Sequence, residues 1–182
     1  MAVLTSNALT GVTTRIADAS MAAGSIIQVV QTVKTDTTST DAAYNSPADI
    51  TGMTCNITPS ATSSKIYVTF DISMGAVYAG ACYLYMYRDS THIYKGDADG
   101  NRVGASKFTK TSGYYDSYNT TKCWQVNMNY LDSPNTTSQI TYKLKVGARD
   151  PVTWYLNRSH ADGNSDLGGR SASSITLMEV AG

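Results

Sequence analysis

Charge is scarce in this chain of 182 residues: Lys, Arg, Asp and Glu supply 15% of it, fourteen of each sign, and the formal net charge is zero. Without a surplus of positive charge there is no field to hold a nucleic-acid backbone, and no acidic tract marks a tail. No run approaches the roughly 18 apolar residues a membrane helix needs, so no membrane insertion is expected. The N-terminus has neither the charged start nor the apolar middle of a secretory signal. Only two histidines, His92 and His160, are available for acid–base or ligand chemistry. There is no Cys-x-x-Cys, no His-Glu-x-x-His, no glycine loop that cradles phosphate and no matched carboxylate pair. No metal, no cofactor and no enzyme activity are therefore expected. Cysteine is rare as well: Cys55, Cys82 and Cys123 each fall in a strand-like stretch, and three buried, reduced thiols are expected, as in a protein folded in a cytoplasm. The alternative is one disulfide and one free thiol.

What is abundant is tyrosine, thirteen against two phenylalanines, together with Ser and Thr. That mixture suits strands and turns better than helices. The clearest pattern is Lys65 to Met74, where Ile66, Val68, Phe70, Ile72 and Met74 alternate with polar residues, as in a strand with one face in a core. Further strands are expected over Ser25–Lys34, where paired apolar residues indicate burial on both faces or a bulge, and over Asp49–Thr58, with a bulge at Thr51-Gly52. Others follow at Gly80–Arg88, His92–Lys95, Lys122–Leu131, Gln139–Ala148, Thr153–Asn157 and Ser173–Val180. Trp124 and Trp154 are assigned to the core. About eight strands separated by turn residues predict an all-β fold, an antiparallel β-sandwich of jelly-roll type.

Residues 1–24 lack apolar periodicity and read as an N-terminal anchoring arm ahead of a sandwich domain at 25–182. Ordering such an arm requires burial of Val3, Leu4, Leu9, Val12 and Ile16 against a partner. Two glycine- and aspartate-rich connections, 96–121 and 160–170, stand out by length. The first holds Tyr114, Tyr115, Asp116, Tyr118 and Asn119, a mixture suited to stacking on sugar rings and bonding their hydroxyls, and is the candidate contact for a glycan or receptor. Tyr83, Tyr85 and Tyr87 share one strand face and form a candidate subunit interface. Asp97–Asn101 offers oxygen ligands but not the spacing of a calcium loop, and an Asp/Gly turn is the expected reading. Ser159, His160 and Asp162 are sequence neighbours, an arrangement unable to give triad geometry.

The stretches GSIIQVVQTVKTDT from Gly24, ITPSATSSKIYV from Ile57, YLDSP from Tyr130, TSQITYKLKV from Thr137, YLNRS from Tyr155 and SSITLMEVAG from Ser173 together resemble the C-terminal β-sandwich module of phage tail fibres, of the type found in phages of marine and cyanobacterial hosts. The likeness runs over Gly24 to Gly182. It implies a homotrimeric, virion-exposed structural protein, assembled in the host cytoplasm, that takes part in host attachment. With only Met1 to Ala23 ahead of the sandwich, the resemblance implies a short tail fibre or fibre tip bound to other virion proteins through its arm. The alternative is a capsid decoration protein of the phage head.

Overall fold

A computed structural model of the chain describes residues 21–76, 81–110, 121–149, 152–166 and 168–182, and within them eleven strands form two antiparallel sheets. The strands are β1 (Ile26–Lys34), β2 (Thr38–Thr40), β3 (Ala48–Ile57), β4 (Lys65–Ala76), β5 (Ala81–Arg88), β6 (Thr91–Ile93), β7 (Lys107–Lys110), β8 (Cys123–Asp132), β9 (Ile140–Ala148), β10 (Trp154–Leu156) and β11 (Ser173–Val180). β4, which carries the clearest alternation, is the axis of the first sheet. β8 runs along one of its sides, while β11 and β10 share the other end to end, continued outward by β1 and β2. In the second sheet the order is β3, β9, β5, with β6 and β7 sharing the last side of β5.

The pairings are nested. Leaving aside the three-residue strands β2, β6 and β10, the first long strand pairs with the last (β1 with β11), then β3 with β9, β4 with β8 and β5 with β7. Joining β11 to β4 and β9 to β5 rolls this long ribbon into two facing sheets. That is the double Greek key of a jelly roll, as the alternating stretches predict.

Burial follows the period of two. Ile66, Val68, Phe70, Ile72 and Met74 are each 2% exposed or less and meet Met53, Leu84, Met86 and Leu144 of the other sheet in one core. The bulge expected at Thr51-Gly52 is present between Asp49 and Thr54 in β3, where Gly52 has φ +82°, and of the two readings open for β1 the structure takes the bulge, between Ile26 and Gln28. The Lys34 side chain lies 3.2 Å from where a Cβ on Gly52 would sit, so the glycine leaves the space that Lys34 occupies between β1 and β3.

Where β1 gives way to β2, and β11 to β10, the sheet is joined by polar contacts around Asn157. Its Nδ2 donates to Lys34 O at 2.8 Å and Asp36 O at 2.9 Å, and its Oδ1 accepts from Ser173 Oγ at 2.6 Å. Its N–H donates to Ser73 O at 2.9 Å. Asn157 is fully buried and has φ +61°, a conformation that Asn tolerates better than most residues.

Several expectations change. β2 lies where no strand is expected, β7 lies within the connection 96–121, and the strand expected at His92–Lys95 is Thr91–Ile93. Trp154 is in the core, whereas Trp124 is only partly buried against it. All three cysteines are free; Cys55 and Cys82 are buried, but Cys123 is exposed, because it opens β8 on the outward-facing phase of the alternation. The arm residues Val3, Leu4, Leu9, Val12 and Ile16 and the loop residues Tyr114, Tyr115, Asp116, Tyr118 and Asn119 lie outside the described residues.

Candidate functional site

The outer face of the second sheet is where Tyr83, Tyr85 and Tyr87 point, and the chain covers much of it with its own segments. Gly147 sits at an outward position of β9, and a Cβ there would lie 2.7 Å from Ala43 O and from Tyr44 Cα, so only glycine lets residues 42–45 cross at this height. The crossing is fixed by Tyr44 N–H donating to Ala148 O and Ala148 N–H to Ala42 O, both 2.8 Å. It brings Tyr44 onto Tyr83 (ring centroids 5.6 Å apart) and puts Tyr44 O where the Tyr85 hydroxyl donates to it at 2.7 Å. Phe108 of β7 covers Tyr83 from another side at 5.0 Å. His92 of β6 meets Tyr85 edge-on and stacks on Tyr87 at 5.4 Å, and Lys145 Nζ sits 5.0 Å above the Tyr87 ring.

Of the three tyrosines expected at a subunit interface, the chain itself buries one and leaves two partly exposed. Tyr85 is 5% exposed, and burial, followed by its neighbours Tyr83 and Cys82, pushes its hydroxyl up to about 12. Tyr83 and Tyr87 are half-buried under side chains of the same chain. What remains open is a cleft of about 540 Å³ beside them, walled by Tyr44, Tyr87 and His92 and by the turn that carries Lys95, Asn101 and Arg102. Burial, and then the nearby Lys95 charge, hold His92 below its ordinary value, which favours the neutral ring. Aromatic edges, a neutral imidazole, amides and an ammonium suit a hydroxyl-rich or acidic ligand. The cleft is assembled from strands and turns far apart in the chain, and its one signal in the sequence is Gly147, a glycine at an outward position of an otherwise alternating strand.

The outer face of the first sheet is different. Residues directly opposite in register share a face, and Val29, Met178, Tyr67 and Leu131 form one such row across β1, β11, β4 and β8. The next row toward the chain ends is Ile26, Val180 and Lys65. Ile26 is 55% exposed, Val29 54% and Leu131 45%. Beyond this apolar end the rows become Gln31, Thr176, Thr69, Asn129 and then Val33, Ser174, Asp71, Asn127. Residues 21–25 join the sheet beside the apolar end, where Gly24 N–H donates to Ala181 O at 2.8 Å.

The remaining candidates resolve into structural roles. Asp99 pairs with Arg102 across a turn in which Gly100 has φ +56°, as expected for an Asp/Gly turn. His160 Nδ1 lies 3.3 Å from the Tyr155 hydroxyl, Asp162 pairs with Arg158 and Arg170, and Ser159 Oγ is buried without a partner among the described residues, so the three form no triad. Among the described residues no cluster of metal-ligating side chains occurs. No helix is long and apolar enough to cross a membrane among them either.

No protein-family model matches the chain, and no curated protein matches it. Among solved structures it is similar to three of infectious bursal disease virus: the Gt strain (14% identity, TM-score 0.40), the Gx strain (12%, 0.39) and the VP2 subviral particle (11%, 0.38). Each overlap covers 85% of this chain but 36%, 37% and 38% of the other, so the chain spans well under half the length of the structures it matches.

Proposed function

We propose that this chain is a structural protein of a tailed-phage particle, a short tail fibre or fibre tip that works as a homotrimer in host attachment. The observation that carries this reading is the pairing of an apolar sheet end that the described residues leave exposed at Ile26, Val29 and Leu131 with the place where residues 21–25 join the fold. Exposed apolar surface of this kind is what a protein shows when it is built into a larger assembly. The tail-fibre resemblance of Gly24 to Gly182 supplies the kind of assembly. The aromatic cleft beside Tyr44 and His92, at the other outer face, is then the surface left for a host glycan or protein.

The test is removal of residues 1–23 from the protein made during infection. The truncated chain is expected to fold, with an unchanged circular dichroism spectrum, and to be missing from purified particles. Incorporation at normal occupancy would overturn the anchoring role of the arm. Electron microscopy of the complete particle locates the chain: density at the tail supports the fibre reading, and density on the capsid shell replaces it with capsid decoration.

A further inference from the structure

Among the described residues β8 is an edge strand without the usual protection. Exposed strand edges are normally blunted by charge, bulges, short length or cover, because their free N–H and C=O groups invite another strand. The other edges here show these devices. β1 has its bulge and leans on β3 through Lys34, β3 has the Gly52 bulge and the charged Asp49, β6 has three residues, and β7 has four, two of them lysines. β8 runs for ten residues with unbroken register against β4, and its one charged residue, Asp132, is buried against Arg88. Among the described residues β4 is its only strand partner.

The direction of its free groups can be read from β4. Ser73 N–H donates to Ser173 Oγ and Ser73 O accepts from Asn157 N–H, so both backbone groups of Ser73 point away from β8. Ser73 faces Gln125, which makes that a non-hydrogen-bonded pair and turns the backbone groups of Gln125 to the free edge. By alternation Cys123, Asn127, Asn129 and Leu131 point theirs the same way. The sequence CWQVNMNYL is moreover matched with itself about Asn127. In an antiparallel pair of two β8 strands centred there, Asn127 meets Asn127, Gln125 meets Asn129 and Cys123 meets Leu131 on the outer side. On the inner side Val126 meets Met128 and Trp124 meets Tyr130. Every pair joins like with like, amide to amide, apolar to apolar and aromatic to aromatic, with no charge opposed.

We infer that β8 pairs with β8 of a second copy across a two-fold axis at Asn127, making one continuous sheet from two first sheets. This does not rest on the proposed function: a two-fold contact cannot close a trimer, and in a trimeric protein it would join two trimers.

The experiment is sedimentation equilibrium of the full chain in the micromolar range. Asn127→Lys, an exposed position that would set two ammonium groups face to face, is expected to halve the mass with an unchanged circular dichroism spectrum. Gln31→Lys on β1 is expected to leave the mass unchanged. In the paired register Leu131→Cys lies opposite Cys123 of the second copy at about 5.5 Å between Cα atoms, within disulfide reach. Mild oxidation should therefore give a covalently linked dimer that disappears when Cys123→Ser is added. A wild-type mass that Asn127→Lys leaves unchanged, whether of one chain or three, overturns the inference, and so does the absence of linked dimer from Leu131→Cys.

Discussion

The two outer faces of the sandwich are built from similar strands and treat their side chains in opposite ways. On the second sheet, Asp49 is paired with Lys143 and Lys145, His92 is stacked on Tyr87, and Tyr85 is bonded to a crossing segment. On the first, a row of apolar side chains and two rows of mostly amides and hydroxyls stand without a second layer among the described residues. A face that satisfies itself gains little from a partner, whereas a face left apolar loses solvent-exposed area when one arrives. The difference supports the proposal of association at the first sheet and of ligand contact at the second.

The sharpest way to break this contrast is on β4, whose alternate residues point to the core and to the outer face. Phe70→Ala is expected to cost about 3 to 5 kcal/mol, since a buried ring is lost and a cavity remains. Tyr67→Ala, three residues earlier on the outer face, should cost roughly 1 kcal/mol or less in the isolated chain. Urea unfolding of both variants gives the two numbers. Equal costs would mean that the outer face of the first sheet is covered after all.

The second sheet supplies the complementary measurement. Tyr85→Phe keeps the ring but strips Tyr44 O of its donor, and should destabilise by about 1 to 2 kcal/mol, where Tyr67→Phe changes little. A neutral Tyr85→Phe would show that residues 42–45 do not hold the tyrosine face.

How far these features could be read from the sequence depends on whether a local pattern encodes them. Long strands with one buried face carry a period of two that nothing else mimics, so β4, β8, β9 and β11 are legible, as is the bulge at the Thr51-Gly52 break in β3, whereas the paired apolar residues of β1 fit a bulge and burial on both faces equally. Thr38–Thr40 and Lys107–Lys110 are too short and too uniform to show a period, so β2 and β7 passed as connections. The tyrosine face illustrates a different limit. Its alternation was plain, but whether it is open or covered depends on Gly147, Tyr44, Phe108 and His92, which come from four other places in the chain. The buried joint at Asn157 is hidden for the same reason, since its partners lie up to 123 residues away.

Acid should find another weak point in the first sheet. Glu179 is fully buried on the inner side of β11. Burial pushes its carboxyl up, but Ser60 donates to it through both N–H (2.6 Å) and hydroxyl (2.7 Å), and Gln28 Nε2 at 2.5 Å, leaving it below the usual range for a glutamate. A carboxylate lowered in the folded state contributes stability that is fully present above its unfolded value, near 4.5, and is lost as pH falls through the lower folded value. Melting temperature followed from pH 6 downward should therefore drop in the wild type below about pH 4.5 and drop less in Glu179→Gln, which starts lower. Parallel curves would show that another group controls the acid limb.

The smallest effect belongs to the ion pairs that make the second outer face self-satisfied. Asp49 lies 3.0 Å from Lys143 Nζ and 3.4 Å from Lys145 Nζ, and its side chain is 52% exposed. Partial burial opposes its ionisation, while the Lys143 hydrogen bond and the Lys145 charge pull it below the usual aspartate value, so whatever stability it gives is present at neutral pH and fades in acid. Water and salt screen charges at such a site, and Asp49→Asn is expected to cost no more than about 0.5 kcal/mol, an amount that disappears in 1 M salt where the screening length is about 3 Å. A loss several times larger and indifferent to salt would mean that these charges are shielded from solvent. The second outer face would then be covered in solution, and the division of labour between the two sheets would have to be reversed.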